Sequence, residues 1–171
     1  MIKESNISTI YFAGGCFWGV QKFFDQFPGI IKTTVGYANG PKQNPSYEEV
    51  CSGIGHAETV KIMYDNSKIN LKKLLEYYFM IIDPLSLNKQ GNDIGIQYRT
   101  GIYYENEEQK NDIEEIMNKM KIKYGKTLAV EVSMIQNFSN AEEYHQKYLE
   151  QNIGGYCHIP KKMFSLNKKV Y

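Results

Sequence analysis

Between residues 8 and 27 the hydrophobic period of the chain changes, and it changes across a cysteine. Ser8 to Ala13, with Thr9, Ile10, Tyr11 and Phe12 in a row, is the β-branched and aromatic run of a buried strand. Val20, Phe23, Phe24 and Phe27 then recur at helical spacing, with Gln21, Lys22 and Asp25 expected to face away. The junction is Gly14-Gly15-Cys16-Phe17-Trp18-Gly19, so Cys16 falls where a strand turns into a helix. A buried strand running straight into an amphipathic helix commits the chain to helices layered on a sheet. It also places the thiol at a helix N-terminus, where unpaired N–H groups and the macrodipole stabilise a thiolate, and a lowered pKa is expected for Cys16. The helical neighbours of Trp18 are Gln21 and Lys22, which puts it off the core stripe and beside the thiol. The alternative for all three residues is plain core packing.

The rest of the chain extends the layered pattern. Strands are expected over Ile30 to Tyr37, Ala57 to Tyr64, Tyr98 to Tyr104 and Val130 to Met134. Tyr47 to Cys51 reads as one helical turn, and Leu71 to Ile82 as a helix capped by Asn70. A further helix is capped by Asn106 and ended by Gly125. Ser139 and Glu142 have capping-box spacing, which predicts a helix running to about Leu149. Ser86 to Gln97 reads as a long polar loop of the kind that carries function. The expected fold is an α/β (α+β) two-layer sandwich: a mixed β-sheet with packed helices, a ferredoxin-like core and an irregular C-terminal tail. One domain spans residues 1–171, with its core at about 8–150 and the tail at 151–171.

Charge and composition exclude some functions. Twenty basic and 19 acidic residues give a net charge of +1, and only Arg99 is an arginine, so no nucleic-acid partner is expected. Met1 to Ile7 are polar and no apolar stretch approaches a membrane span, which points to no membrane association and a cytoplasmic protein. Cys16, Cys51 and Cys157 are an odd number of cysteines without metal-type spacing, favouring free thiols or a redox pair over a disulfide framework and predicting no metal. Cys51 is read as structural. Glu58 shares strand parity with Val60, Ile62 and Tyr64, so burial is expected to raise its pKa and keep it ready to donate a proton; a solvent-facing strand end is the alternative. Cys16 with His56 or His145 and Asp93 also supplies the residue types of a Cys-His-Asp hydrolase, although no hydrolase signature surrounds the cysteine. A redox sensor and a metal site at Cys157-His158 are weaker readings. The histidines otherwise have structural roles, and the seven methionines are core filler apart from Met163, expected to be exposed.

The motif Gly15-Cys16-Phe17-Trp18-Gly19 resembles that of the peptide methionine sulfoxide reductases of the A type. Gly36-Tyr37, Pro45-Ser46-Tyr47, Gly55-His56-Ala57-Glu58, Gly91-Asn92-Asp93, Gln97-Tyr98-Arg99, Tyr144-His145-Gln146 and Gly155-Tyr156-Cys157 follow in that family's order. The resemblance implies reduction of methionine-S-sulfoxide, free or in oxidised proteins, as protein repair. Cys16 would be the nucleophile and Glu58 the acid. Tyr47 and Tyr98 would bond the sulfoxide oxygen, and Phe17 and Trp18 would grip the S-methyl group. Asp93 would orient Tyr98, Arg99 or a water. Cys157 would resolve the sulfenic acid to a disulfide, which thioredoxin (or dithiothreitol in vitro) reduces. No cofactor and a monomer are implied. Some relatives carry another cysteine further along; none lies between His158 and Tyr171 here.

Overall fold

The structure, a computed structural model, describes residues 2–170, and for 168–170 the backbone only; Met1 and Tyr171, the limits of the expected domain, lie outside the described residues. β1 (Ile7–Gly14), β2 (Ile30–Ala38) and β3 (Ala57–Asp65) are the three long strands. A two-residue hairpin, β4 (Lys89–Gln90) and β5 (Asp93–Ile94), is followed by β6 (Thr100–Tyr104), β7 (Glu131–Met134) and β8 (Phe138–Asn140). The main sheet runs β7-β6-β1-β3-β2-β8. Its central four strands are antiparallel, and β7 joins β6 in parallel, which makes the sheet mixed. With α1 (Phe17–Asp25) between β1 and β2, and α3 (Leu71–Ile81) between β3 and β6, the centre is the expected ferredoxin-like unit. α2 (Tyr47–Cys51) is a single turn closed by a complete capping box between Ser46 and Glu49, and α4 (Glu107–Tyr124) packs on α3.

The core lies between sheet and helices, where Ile10, Phe12, Val60 and Ile62 meet Phe23, Phe24, Leu74 and Tyr78, all wholly buried. Tyr78 also ties two strands directly below the Cys16 turn. Its hydroxyl donates to the Ala13 carbonyl at 2.6 Å and accepts from Gly101 N–H at 3.1 Å, across the last rungs of the β1–β6 ladder.

Three expectations fail. Gln21 does not face water: it is 1% exposed, with its amide donating to Thr33 and its carbonyl accepting from Lys147 N–H. Met163 is buried, where the tail folds back and its carbonyl accepts from Gln26 at 2.8 Å. The helix from Ser139 to Leu149 does not form, because long-range partners claim both of its capping residues. Ser139 pairs with Tyr37 in the sheet, and Glu142 accepts from Tyr37 Oη at 2.7 Å and Tyr47 N–H at 3.0 Å. Gln146 is clamped to the Val35 backbone through both amide atoms. Lys147 takes a left-handed φ of 54°, and only the short α5 (Tyr148–Gln151) follows. The 86–97 loop is more ordered than expected, holding the β4–β5 hairpin and leading into a 3-10 turn at Ile96–Tyr98, which delays β6 by two residues.

Candidate active site

β1 ends at Gly14, Gly15 turns the chain at a φ of 85°, and Cys16 occupies the N-cap of α1. A side chain at Gly15 would press into Gln90 and the His158 ring, so glycine is needed there for space as well as for conformation. Cys16 is 7% exposed. Of the N–H groups that open α1, that of Phe17 donates to Glu58 Oε1 at 3.2 Å, so this end of the helix is partly spent on a carboxyl group. Burial pushes the Cys16 thiol well above its ordinary range and nearby Glu58 raises it further, while Trp18 N–H lowers it only in part. The expected lowering by the helix N-terminus is therefore overturned: desolvation outweighs the dipole, and the thiol waits in its protonated form. Glu58 lies at 1% exposure on the buried face of β3, and burial pushes its pKa up to about 8 against the opposing pull of Phe17 N–H.

Aromatic side chains pack around the start of α1. Phe17 is buried against Tyr37 and His145. Trp18 is half-buried, stacks on Tyr148 with ring centroids 3.8 Å apart, and donates from Nε1 to His145 Nδ1 at 3.1 Å. That bond makes Nδ1 the acceptor and leaves the proton of the neutral ring on Nε2. Burial lowers the pKa of His145, which keeps it neutral. Tyr47, half-buried on α2, packs on the same ring. Tyr98, also half-buried, ends the 3-10 turn, and its hydroxyl is kept protonated by burial and then by Glu58 and Asp93.

Asp93 does not serve Arg99. The single arginine is buried and occupied with the carbonyls of Gly55, Ile96 and Asn39 and with Glu131, so it braces the loops around the pocket. Asp93 instead faces Tyr156 and His158 of the tail. Cys157 is half-buried, with its sulfur against Gly19 one turn along α1 from Cys16; a Cβ at Gly19 would come within 2.6 Å of that sulfur. Cys51, expected to be structural, is an exposed thiol on α2. Among the described residues no histidine hydrogen-bonds to the Cys16 sulfur: His56 is turned to the Lys42 carbonyl and His145 to Trp18, which leaves the hydrolase arrangement without a base. The sequence reading missed Glu142, which spans Tyr37 and Tyr47, and the parts played by His145 and Tyr148 in seating Trp18. The adjacent Tyr144-His145-Gln146 motif marked the place without revealing the contacts.

Two free thiols on one face of a helix, with a protonated carboxyl beside the first, put this site in the class of thiol oxidoreductases. A family model described as peptide methionine sulfoxide reductase matches residues 8–170, and the chain belongs to that family. Similar proteins include the peptide methionine sulfoxide reductases MsrA of Lachnoclostridium phytofermentans, 53% identical over 95% of this chain and 98% of that one, and of Clostridium botulinum strain Loch Maree, 56% identical over 90% and 98%. Among solved structures, reduced Mxr1 from Saccharomyces cerevisiae superposes with a TM-score of 0.86 at 34% identity, covering 92% of each chain. Methionine sulfoxide reductase A of Corynebacterium diphtheriae gives 0.81 at 30% identity, over 92% of this chain and 85% of that one. Another solved structure is Mxr1 in complex with Trx2, with a TM-score of 0.62 at 25% identity over 86% of this chain and 88% of that one.

Proposed function

We propose that this oxidoreductase reduces methionine-S-sulfoxide, free or in oxidised proteins, through Cys16 and Cys157, and that thioredoxin returns it to the dithiol state. The observation that carries this reading is the buried Glu58 carboxyl, which accepts from the N–H of the residue after Cys16 and whose pKa burial pushes up to about 8. A sulfoxide oxygen is a strong acceptor that becomes far more basic as its sulfur is attacked, so a neutral acid is the group it needs. Phe17 and Trp18 supply an apolar aromatic wall for the S-methyl group. Tyr47 and Tyr98 are protonated donors for the oxygen, held so chiefly by burial. Glu58 protonates the oxygen as Cys16 attacks the sulfur. The oxygen then passes to the Cys16 sulfur as the sulfoxide S–O bond and the transient S–S bond break; methionine leaves with two added electrons, Cys16 is left as a sulfenic acid, and the proton lost by the thiol restores the Glu58 carboxyl. Cys157 attacks that sulfur: an S–S bond forms, the S–OH bond breaks, and the hydroxyl leaves as water with the Cys157 proton. Thioredoxin reduces the disulfide, a role supported by the Mxr1–Trx2 complex. Asp93 acts through the tail. The chemistry needs no cofactor, and the reading places a monomeric repair enzyme in the cytoplasm, in keeping with three free cysteines.

The test is anaerobic turnover of the separate S and R epimers of a blocked methionine sulfoxide, driven by dithiothreitol or by thioredoxin. The S epimer alone should be reduced, and Cys157→Ser should stall with thioredoxin after about one turnover per enzyme. Reduction of neither epimer would sink the assignment. Sustained thioredoxin turnover in Cys157→Ser would move the recycling role to Cys51.

A further inference from the structure

His158, next to Cys157 in the tail, has no part in the chemistry above, yet its side chain is only 6% exposed. It rests on the Gly14–Gly15 turn, where its Nε2 lies 3.0 Å from the Gly14 carbonyl oxygen. A carbonyl only accepts, so Nε2 carries a proton. Nδ1 points at Asp93 Oδ2, 3.7 Å away, and both of these buried atoms lack any other partner. Burial lowers the His158 pKa while Asp93 and the Gly14 carbonyl oppose that shift, and the ring is held with Nε2–H on the carbonyl and Nδ1 turned to Asp93.

The groups facing this pair are Glu58 on β3, Tyr98, Cys16 at the start of α1, and Tyr156 and Cys157 on the tail. Each of these groups is shifted by burial toward its protonated, uncharged form. Ile159, the residue after His158, is 3% exposed in the main core and packs on Gly19.

We infer that His158 is a positioning residue for the recycling step, a clasp linking the Gly14 carbonyl to Asp93 that seats Cys157 against α1 before Cys16 is oxidised. This rests on the reading of Cys157 as the resolving thiol. With His158 and Ile159 both docked, the Cys157 sulfur is delivered to the face of α1 that begins at Cys16, without a search by a free tail.

Rapid-quench single turnovers of the S epimer would test it, following methionine release and Cys16–Cys157 disulfide formation separately, the latter by peptide mass. In His158→Leu the ratio of disulfide closing to methionine release should fall roughly tenfold or more. His158→Gln, which keeps an amide donor for the Gly14 carbonyl, should recover part of that loss. A His158→Leu ratio equal to the parent's would overturn the clasp. So would equal slowing of both steps, the mark of a general packing role. If the unmutated protein releases no methionine at all, the reading of the site falls and takes the clasp with it, which is distinct from methionine release with unchanged closing.

Discussion

Glu58→Gln is expected to slow sulfoxide reduction at pH 7 by roughly a hundredfold or more while making the protein more stable. Glutamine keeps the shape and loses the proton to be given to the leaving oxygen. In the parent, the rate should hold up to about pH 8, where Glu58 ionises, and decline above it; the variant should lack that alkaline decline. The stability effect has the same origin. The folded pKa of about 8 is raised above the ordinary 4.5, so the stabilising contribution of this group is complete below the lower value and is lost as pH rises through the upper one. At pH 7 the folded chain must keep a proton that the unfolded chain would release, which costs on the order of 3 kcal/mol. Glutamine removes that cost. Thermal melts at pH 4 and pH 7.5 should therefore show variant and parent close together at the lower pH and the variant several degrees higher at the upper. Parallel stability profiles would show that Glu58 is ionised in the folded protein and would remove it as the acid.

Cys16→Ser is expected to lower turnover by about 10⁴-fold or more with either reductant, with little change in stability, since serine is a good N-cap. The informative companion is alkylation. A thiol held protonated by burial should react slowly with iodoacetamide at pH 7 in the free enzyme. Cys16 should stay slow at pH 7 in Glu58→Gln, because the amide replaces a carboxyl that is itself neutral there, and the variant should pull ahead of the parent only above about pH 8, where Glu58 ionises. Rapid labelling of Cys16 in the parent at pH 7, located by peptide mass, would mean that the helix N-terminus prevails over desolvation after all.

The parts of the fold legible in the sequence were those fixed by local pattern. The strand parity of Glu58, Val60, Ile62 and Tyr64, the caps at Asn70 and Asn106, and Gly125 in its left-handed C-cap each depend on neighbours within a few residues. The site was legible where one short motif carried it, at Cys16, Phe17 and Trp18. It was illegible where polar groups are satisfied across the whole chain. Gln21 looked like a surface residue because its partners, Thr33 and Lys147, are distant. Glu142 looked like half of a capping box because Tyr37 and Tyr47 cannot be seen from position 142. The sign of the Cys16 shift was misjudged for a related reason. A helix terminus can be read from sequence, but the depth of burial that outweighs it cannot.

The segment from Ser139 to Leu149 carries a further consequence for the origin of the pocket. Its local code favours a helix, and contacts spanning about a hundred residues hold it in another shape. Cut from the chain, it would be free to follow its own capping pattern, and His145 would lose Trp18. The wall that seats the tryptophan is therefore not a transplantable module. Any scaffold meant to borrow this pocket must reproduce the sheet edge at Val35 and Tyr37 that bends the segment into place.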